Sequence, residues 1–284
     1  MTDLSPARIH RALEPLHALG YFAPESDEAL TATGLRPGRM TYFAGRAGVM
    51  GSVGPAVVTA TFYNFSPDLV DRYIPRAWTL ADPAALYPAR LRAAGQALRR
   101  LLGDDVAASE QIEMAATLAR TATEAARPEG RPLFAAYADV DWPTTPLLTL
   151  WHAITLLREH RGDGHVAALV GHDLSGVEAI ITHTATGYGF TEPAAKKLRG
   201  WSEEQWAAAA DGLRDRRILD AAGDLTEAGR ALRADVERAT DAMAAAPWRH
   251  LGAERSERLT DITKPLCRAV AGAGAFPAGV FARG

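Results

Sequence analysis

The 284-residue chain is 48% hydrophobic and 23% charged, a composition that sustains a folded core and excludes a long disordered protein. Its formal net charge of −3 and pI of about 6.3 exclude a global positive field for nucleic acid. One cysteine, Cys267, excludes a disulfide framework and any multi-cysteine zinc or iron–sulfur site.

Met1 to Pro6 carries no basic region leading into an apolar core, and no apolar run reaches spanning length. A cytoplasmic protein without a membrane partner is therefore expected. Ser5-Pro6 reads as a cap and a first-turn proline, opening a helix with Ile9, Leu13, Leu16 and His17 on its apolar side, bent at Pro15. Short helices are expected after Glu25-Ser26 and over Arg39 to Arg46, with Gly48, Gly51 and Gly54 interrupting. Pro55 to Phe62 is an apolar helix, Ser66-Pro67-Asp68 is a cap signal, and Asp82-Pro83 opens a long amphipathic stretch through Leu102.

Ser109 to Ala126 continues as an Ala-rich helix. The prolines of 127–146 mark a linker, dividing the chain into an N-terminal helical half (1–126) and a C-terminal half (147–271) ahead of a Gly/Ala-rich tail (272–284). Leu147 to Glu159 is strongly helical, and Arg161-Gly162-Asp163-Gly164 is expected to end that helix. Separate helices should follow over His165 to Val170, Val177 to His183 and Glu192 to Leu198. Ser202 and Gln205 form a capping box for a helix through Leu213. Arg216 to Leu219 and Gly223 to Leu225 then read as two short strands, before Thr226 caps a long helix to about Ala245. Helix, small β-wing near 216–225 and long helix make a winged-helix ending. A faint repeat relates Gly45 to Gly48, Val57 and Trp78 to Arg161 to Gly164, Val177 and Trp201, so the fold expected is mainly α and compatible with two degenerate winged-helix copies in tandem.

Leu225-Thr226-Glu227-Ala228-Gly229-Arg230-Ala231-Leu232, with the helix and wing before it, resembles the second half of a MarR-type winged helix. Tyr21 to Glu25, Tyr42 to Arg46, Phe62 to Phe65 and Arg158 to His165 resemble an actinobacterial family of MarR-like helix-turn-helix proteins along almost the whole chain. The resemblance implies a fold and no defined activity. A DNA-reading helix leads with donors and its wing carries a cation for the phosphates, whereas this helix opens with Glu203 and Glu204 and its wing holds Asp220 and Asp224. DNA is not the expected partner.

The densest polar cluster is Arg158, Glu159, His160, Arg161, Asp163 and His165. His160 or His165 fits a general acid or base oriented by Asp163 or Glu159, and Arg158 or Arg161 fits an anion holder. A helix terminus whose cations complement the dipole is the alternative. Arg46 is the N-terminal counterpart of Arg161. His17, Tyr21, Phe22, Tyr42 and Phe43 would suit a pocket for an aromatic ligand, Trp151 and His152 share the helix of the cluster, and Tyr63 and Asn64 either line the same cavity or pack in the core. His160, Asp163 and His165 are acceptable metal-ligand types, but their spacing matches no strong signature and Arg161 would repel a cation, so no metal is assigned. No Walker loop, dinucleotide fingerprint or nucleophile elbow is present, so no cofactor is expected.

These residues point first to a cofactor-independent acid–base enzyme on a small organic metabolite, with hydrolase, lyase and isomerase chemistry unseparated. A metabolite-sequestering protein and a MarR-like ligand-responsive regulator are the alternatives, and a homodimer is compatible with each. If Asp163 orients a histidine, Asp163→Asn should silence ligand function with little loss of stability.

Overall fold

Caps and prolines set where the helices of the computed structural model begin; it describes residues 5–276. The first half contains α1 (Pro6–Ala18), α2 (Pro24–Thr31), α3 (Arg39–Ala47), α4 (Pro55–Phe62), α5 (Pro67–Asp71), α6 (Pro83–Leu102), α7 (Asp104–Ala107) and α8 (Glu110–Thr123). The second contains α9 (Pro132–Ala138), α10 (Pro146–Gly171), α11 (Gly176–Thr184), α12 (Glu192–Arg199), α13 (Glu203–Asp215), α14 (Glu227–Leu251) and α15 (Ala253–Gly272). Prolines open α1, α2, α4, α5, α6, α9, α10 and α12, where the missing amide has no intrahelical bond to lose. Among the described residues no helix is long and apolar enough to cross a membrane.

Two hydrophobic clusters organise these helices. The larger gathers buried residues from Ile9 to Leu157 and again from Leu251 to Val270. The smaller runs from Ala168 to Val236 and holds α11, α12 and α13 together. The chain thus returns to its first core through α15, a helix not expected from the sequence, and α15 packs along α1.

Three local expectations are corrected. The run Arg161-Gly162-Asp163-Gly164 does not end a helix: α10 continues through it for 26 residues, absorbing the helix expected over 165–170. Glycine is unfavourable inside a helix, but a Cβ on Gly164 would lie 2.7 Å from Arg131 Nη1 and 3.3 Å from Met243 Cβ, so its smallness admits close neighbours. The 127–146 stretch contains α9, whose Leu133, Phe134 and Tyr137 are buried in the main core. No β-wing strand forms among the described residues; Leu219 and Leu225 make one isolated antiparallel bridge. There the Asp220 carboxylate accepts from Ala222 N and Asp224 N at 2.9 and 3.0 Å and holds the turn, and the pairing beside it is limited to Asp220 N to Asp224 O at 2.9 Å and Thr226 N to Ile218 O at 3.1 Å. In the tail, Ala275 and Phe276 pack against the main core, and 277–284 lie outside the described residues.

Candidate functional site

Helices α2, α3 and α6 surround a cavity of about 350 Å³, within the range of small-ligand pockets. Tyr21, Phe22, Ala23, Leu30, Tyr42, Arg46 and Arg90 are in its lining. Arg46 comes from the last turn of α3 and Arg90 from the middle of α6. Both side chains are almost fully buried, so how each charge is answered becomes the central question.

Arg46 is answered by Glu159 of α10, with Nη2 at 3.3 Å from both carboxylate oxygens, and Nη1 donates to the Tyr42 hydroxyl at 3.0 Å. Arg158 shares the same carboxylate at 2.9 and 3.0 Å and lies 3.6 Å from Glu14 of α1. Burial alone would raise the Glu159 carboxyl, but Arg158, Arg46 and Arg90 outweigh it and hold the group below the ordinary carboxylate range. Arg90 has no carboxylate partner among the described residues. Its Nη1 donates to the Tyr137 hydroxyl, which in turn donates to the Arg46 carbonyl at 3.2 Å, and its Nη2 has no hydrogen-bond partner.

The aromatic wall is fixed from behind. The Thr155 hydroxyl donates to the Trp151 carbonyl at 2.9 Å, so it accepts from His17 Nδ1 at 3.1 Å, and His17 Nε2 then accepts from the Tyr21 hydroxyl at 2.7 Å. Burial, with the nearby arginines, holds His17 well below its ordinary pKa, consistent with the neutral ring this chain requires. Burial pushes the Tyr42 phenol up, but Arg46, Arg199 and Arg158 together bring it below its ordinary value. The cavity is thus a partly aromatic chamber with two arginines, Arg46 and Arg90, and one carboxylate, Asp27, in its lining.

The other residues singled out in the sequence are dispersed. His160 and Asp163 both face α9: the His160 ring meets Phe134 edge-on at 5.1 Å, and Asp163 accepts from Phe134 N at 2.9 Å. His165 faces α14 and bonds Thr240 at 2.9 Å, while Arg161 reaches Glu237 and Asp241 of α14 at 3.3 and 3.1 Å. Burial holds His160 and His165 near a pKa of about 4. The structure therefore does not bring His160, Asp163 and His165 into one chamber; the helix turns His160 and Asp163 towards Phe134 of α9 and His165 towards Thr240 of α14.

Trp151 stacks on His17 at 5.5 Å and forms a floor below Arg90, and His152 is buried against Tyr87 and Trp142. Phe43 packs in the core with Phe62, Phe65 and Tyr73 rather than in the cavity lining. Tyr63 and Asn64 hold the smaller cluster to the larger: the Tyr63 hydroxyl donates to Leu174 O at 2.5 Å, and Trp201 Nε1 donates to Asn64 O at 3.0 Å. Arg90 and Tyr137 were not among the sequence candidates. Arg90 falls on the apolar stripe of Leu86, Ala93 and Ala97, and a cation on such a stripe was the available signal.

Beyond that seam, α12 and α13 are joined by Gly200, in the left-handed conformation at φ 73°, then Trp201 and the cap Ser202, the short glycine-bearing turn of a helix-turn-helix. Helix α11 packs on both. Lys196 of α12 is paired with Glu192 at 3.1 Å and Glu203 at 2.7 Å. No curated protein and no solved structure matches the chain. A family model, that of a helix-turn-helix family, matches residues 6–277, and the chain belongs to that helix-turn-helix family.

Proposed function

We propose that this protein binds a small molecule in the chamber between α2, α3 and α6 and holds it without turnover. The observation that carries this reading is the roughly 350 Å³ cavity with Tyr21, Tyr42, Arg46 and Arg90 converging on it. A chamber of that size with buried polar groups is the usual form of a ligand site. The acid–base enzyme reading has weaker support, because its histidines and carboxylate share no chamber. A winged-helix, MarR-like arrangement is the finer fold reading, supported by the order α12, α13, Leu219–Leu225 bridge and α14.

The test is a thermal-shift screen of metabolite-sized compounds on the full chain and on Ser26→Leu. Ser26 lines the cavity, is buried, and its hydroxyl has no partner, so leucine fills the space from α2. A ligand at one hundred times its Kd adds about 2.7 kcal/mol of stability. Compounds that raise the Tm of the wild type should fail on Ser26→Leu and be recovered chemically unchanged. Equal shifts in both proteins would place binding elsewhere, and a converted compound would reinstate the enzyme.

A second reading is a ligand-responsive regulator, favoured by membership of a helix-turn-helix family.

A further inference from the structure

Five ionisable groups meet behind the cavity: Arg46, Arg90, Arg158, Glu14 and Glu159. Glu159 is shared by Arg46 and Arg158, and Glu14 lies against Arg158. Arg90 remains, 2% exposed, a guanidinium that cannot shed its proton. The rings of Trp151, Tyr21 and Tyr137 lie 5.2, 5.3 and 5.8 Å from its Cζ. Those faces soften the charge without neutralising it, and they leave Nη2 with nothing to donate to. Arg90 feels Glu159 only at a distance and has no ion pair of its own among the described residues, a costly arrangement for a buried cation, yet this one sits in the wall of a chamber rather than in solid core.

Resting on the binding function proposed above, we infer that the ligand is a small organic acid whose carboxylate is held by Arg90 with Arg46 beside it. A carboxylate supplies both things Arg90 lacks, a directly paired anion and an acceptor for the second guanidinium nitrogen, and charge-assisted bonds of this kind are the strong ones. An inorganic anion would leave most of the space unfilled. Of the remaining lining, Phe22, Ala23, Leu30 and the Tyr21 and Tyr42 rings fit the organic body of an acid, while Ser26, Thr41 and the Asp27 carboxylate make the rest of the wall polar, Asp27 accepting from Gly38 N and the Thr41 hydroxyl at 2.9 and 2.6 Å.

The probes are a series of aromatic and medium-chain aliphatic carboxylic acids, their primary amides as neutral twins, and inorganic phosphate. Each is titrated into the wild type, Arg90→Met and Arg90→Lys by calorimetry and thermal shift. At least one acid should bind the wild type tenfold or more tightly than its amide. Arg90→Met should erase that preference, so that acid and amide bind the variant equally, and Arg90→Lys should restore part of it. Without ligand, Arg90→Met should melt close to the wild-type temperature, because methionine removes a buried cation that has no ion pair at the expense of its bond to the Tyr137 hydroxyl. Acid and amide binding the wild type equally would overturn the acid inference and leave the cavity as the site. Neither binding at millimolar concentration would overturn both. An acid preference that survives in Arg90→Met would remove Arg90 from recognition, and phosphate binding as well as the best acid would remove the organic body. Should circular dichroism show Arg90→Met unfolded, the wild-type acid-to-amide ratio and Arg90→Lys still decide.

Discussion

Asp163, in the densest polar stretch of the chain, bonds the backbone of a neighbouring helix. It sits 6% exposed on α10 and accepts the backbone amide of Phe134 in the first turn of α9. Burial pushes its carboxyl up to about 6, against the lowering effect of the Phe134 amide. A folded-state pKa above the ordinary 3.8 means that the folded protein holds this proton more tightly than the unfolded chain. Its stabilising contribution is complete below about pH 4 and is lost as pH rises through 6. Asparagine keeps an acceptor for Phe134 N and never ionises. Asp163→Asn should therefore gain in Tm relative to the wild type between about pH 4.5 and pH 7.5, with cavity binding intact. A difference that stays flat across that range, or loss of binding, would return Asp163 to a functional role. The sequence pointed to Asp163 by its polar company, whereas Arg90 was passed over within an arginine-rich helix; only its register with Leu86, Ala93 and Ala97 separates it from the surface arginines Arg99 and Arg100.

Between elements, the tightest approach at the seam is that of α11 to the turn after α4. A Cβ on Gly176 would lie 2.0 Å from the Tyr63 carbonyl oxygen and 3.1 Å from its carbon. Tyr63 has little freedom to retreat: its φ is 56°, and its own hydroxyl holds Leu174 O. Gly176→Ala should therefore force backbone apart and destabilise the protein by about 1–3 kcal/mol, the usual cost of overpacking, read as a lower urea midpoint. An unchanged midpoint would show that the seam does not depend on this contact. The helix starts at Ser5, Ser202 and Thr226 were legible because each hydroxyl does accept a first-turn amide. The continuity of α10 was not, since glycine signals a terminus locally, and only the proximity of Arg131 and Met243, remote in sequence, gives Gly164 a reason to lie inside a helix. For the same reason α9 was hidden: prolines that mark a linker also mark a helix start.

For the molecule as a whole, the question is whether a helix-turn-helix scaffold with net charge −3 still meets DNA. Nucleic-acid affinity rests first on cations free to replace counterions at phosphates. Here Lys196 is held by Glu192 and Glu203, Arg214 lies 2.6 Å from Asp211, and Arg216 lies 3.0 Å from Glu178. Arg199 is spread over the Phe65 and Phe190 rings at 4.4 and 4.8 Å rather than presented outward. Helix α13 itself begins with Glu203 and Glu204, whose charges favour its N-terminal dipole but oppose an approaching phosphate. At about 150 mM salt, where the screening length is about 8 Å, the full chain should show no sequence-dependent anisotropy change with duplexes spanning its own upstream region. Replacing Glu203 and Glu204 by alanine should not create one, because removing repulsion supplies no donor to a base edge. A specific complex that weakens steeply with salt would instead establish the regulator, and a cavity ligand that abolishes that complex would make the chamber its sensor.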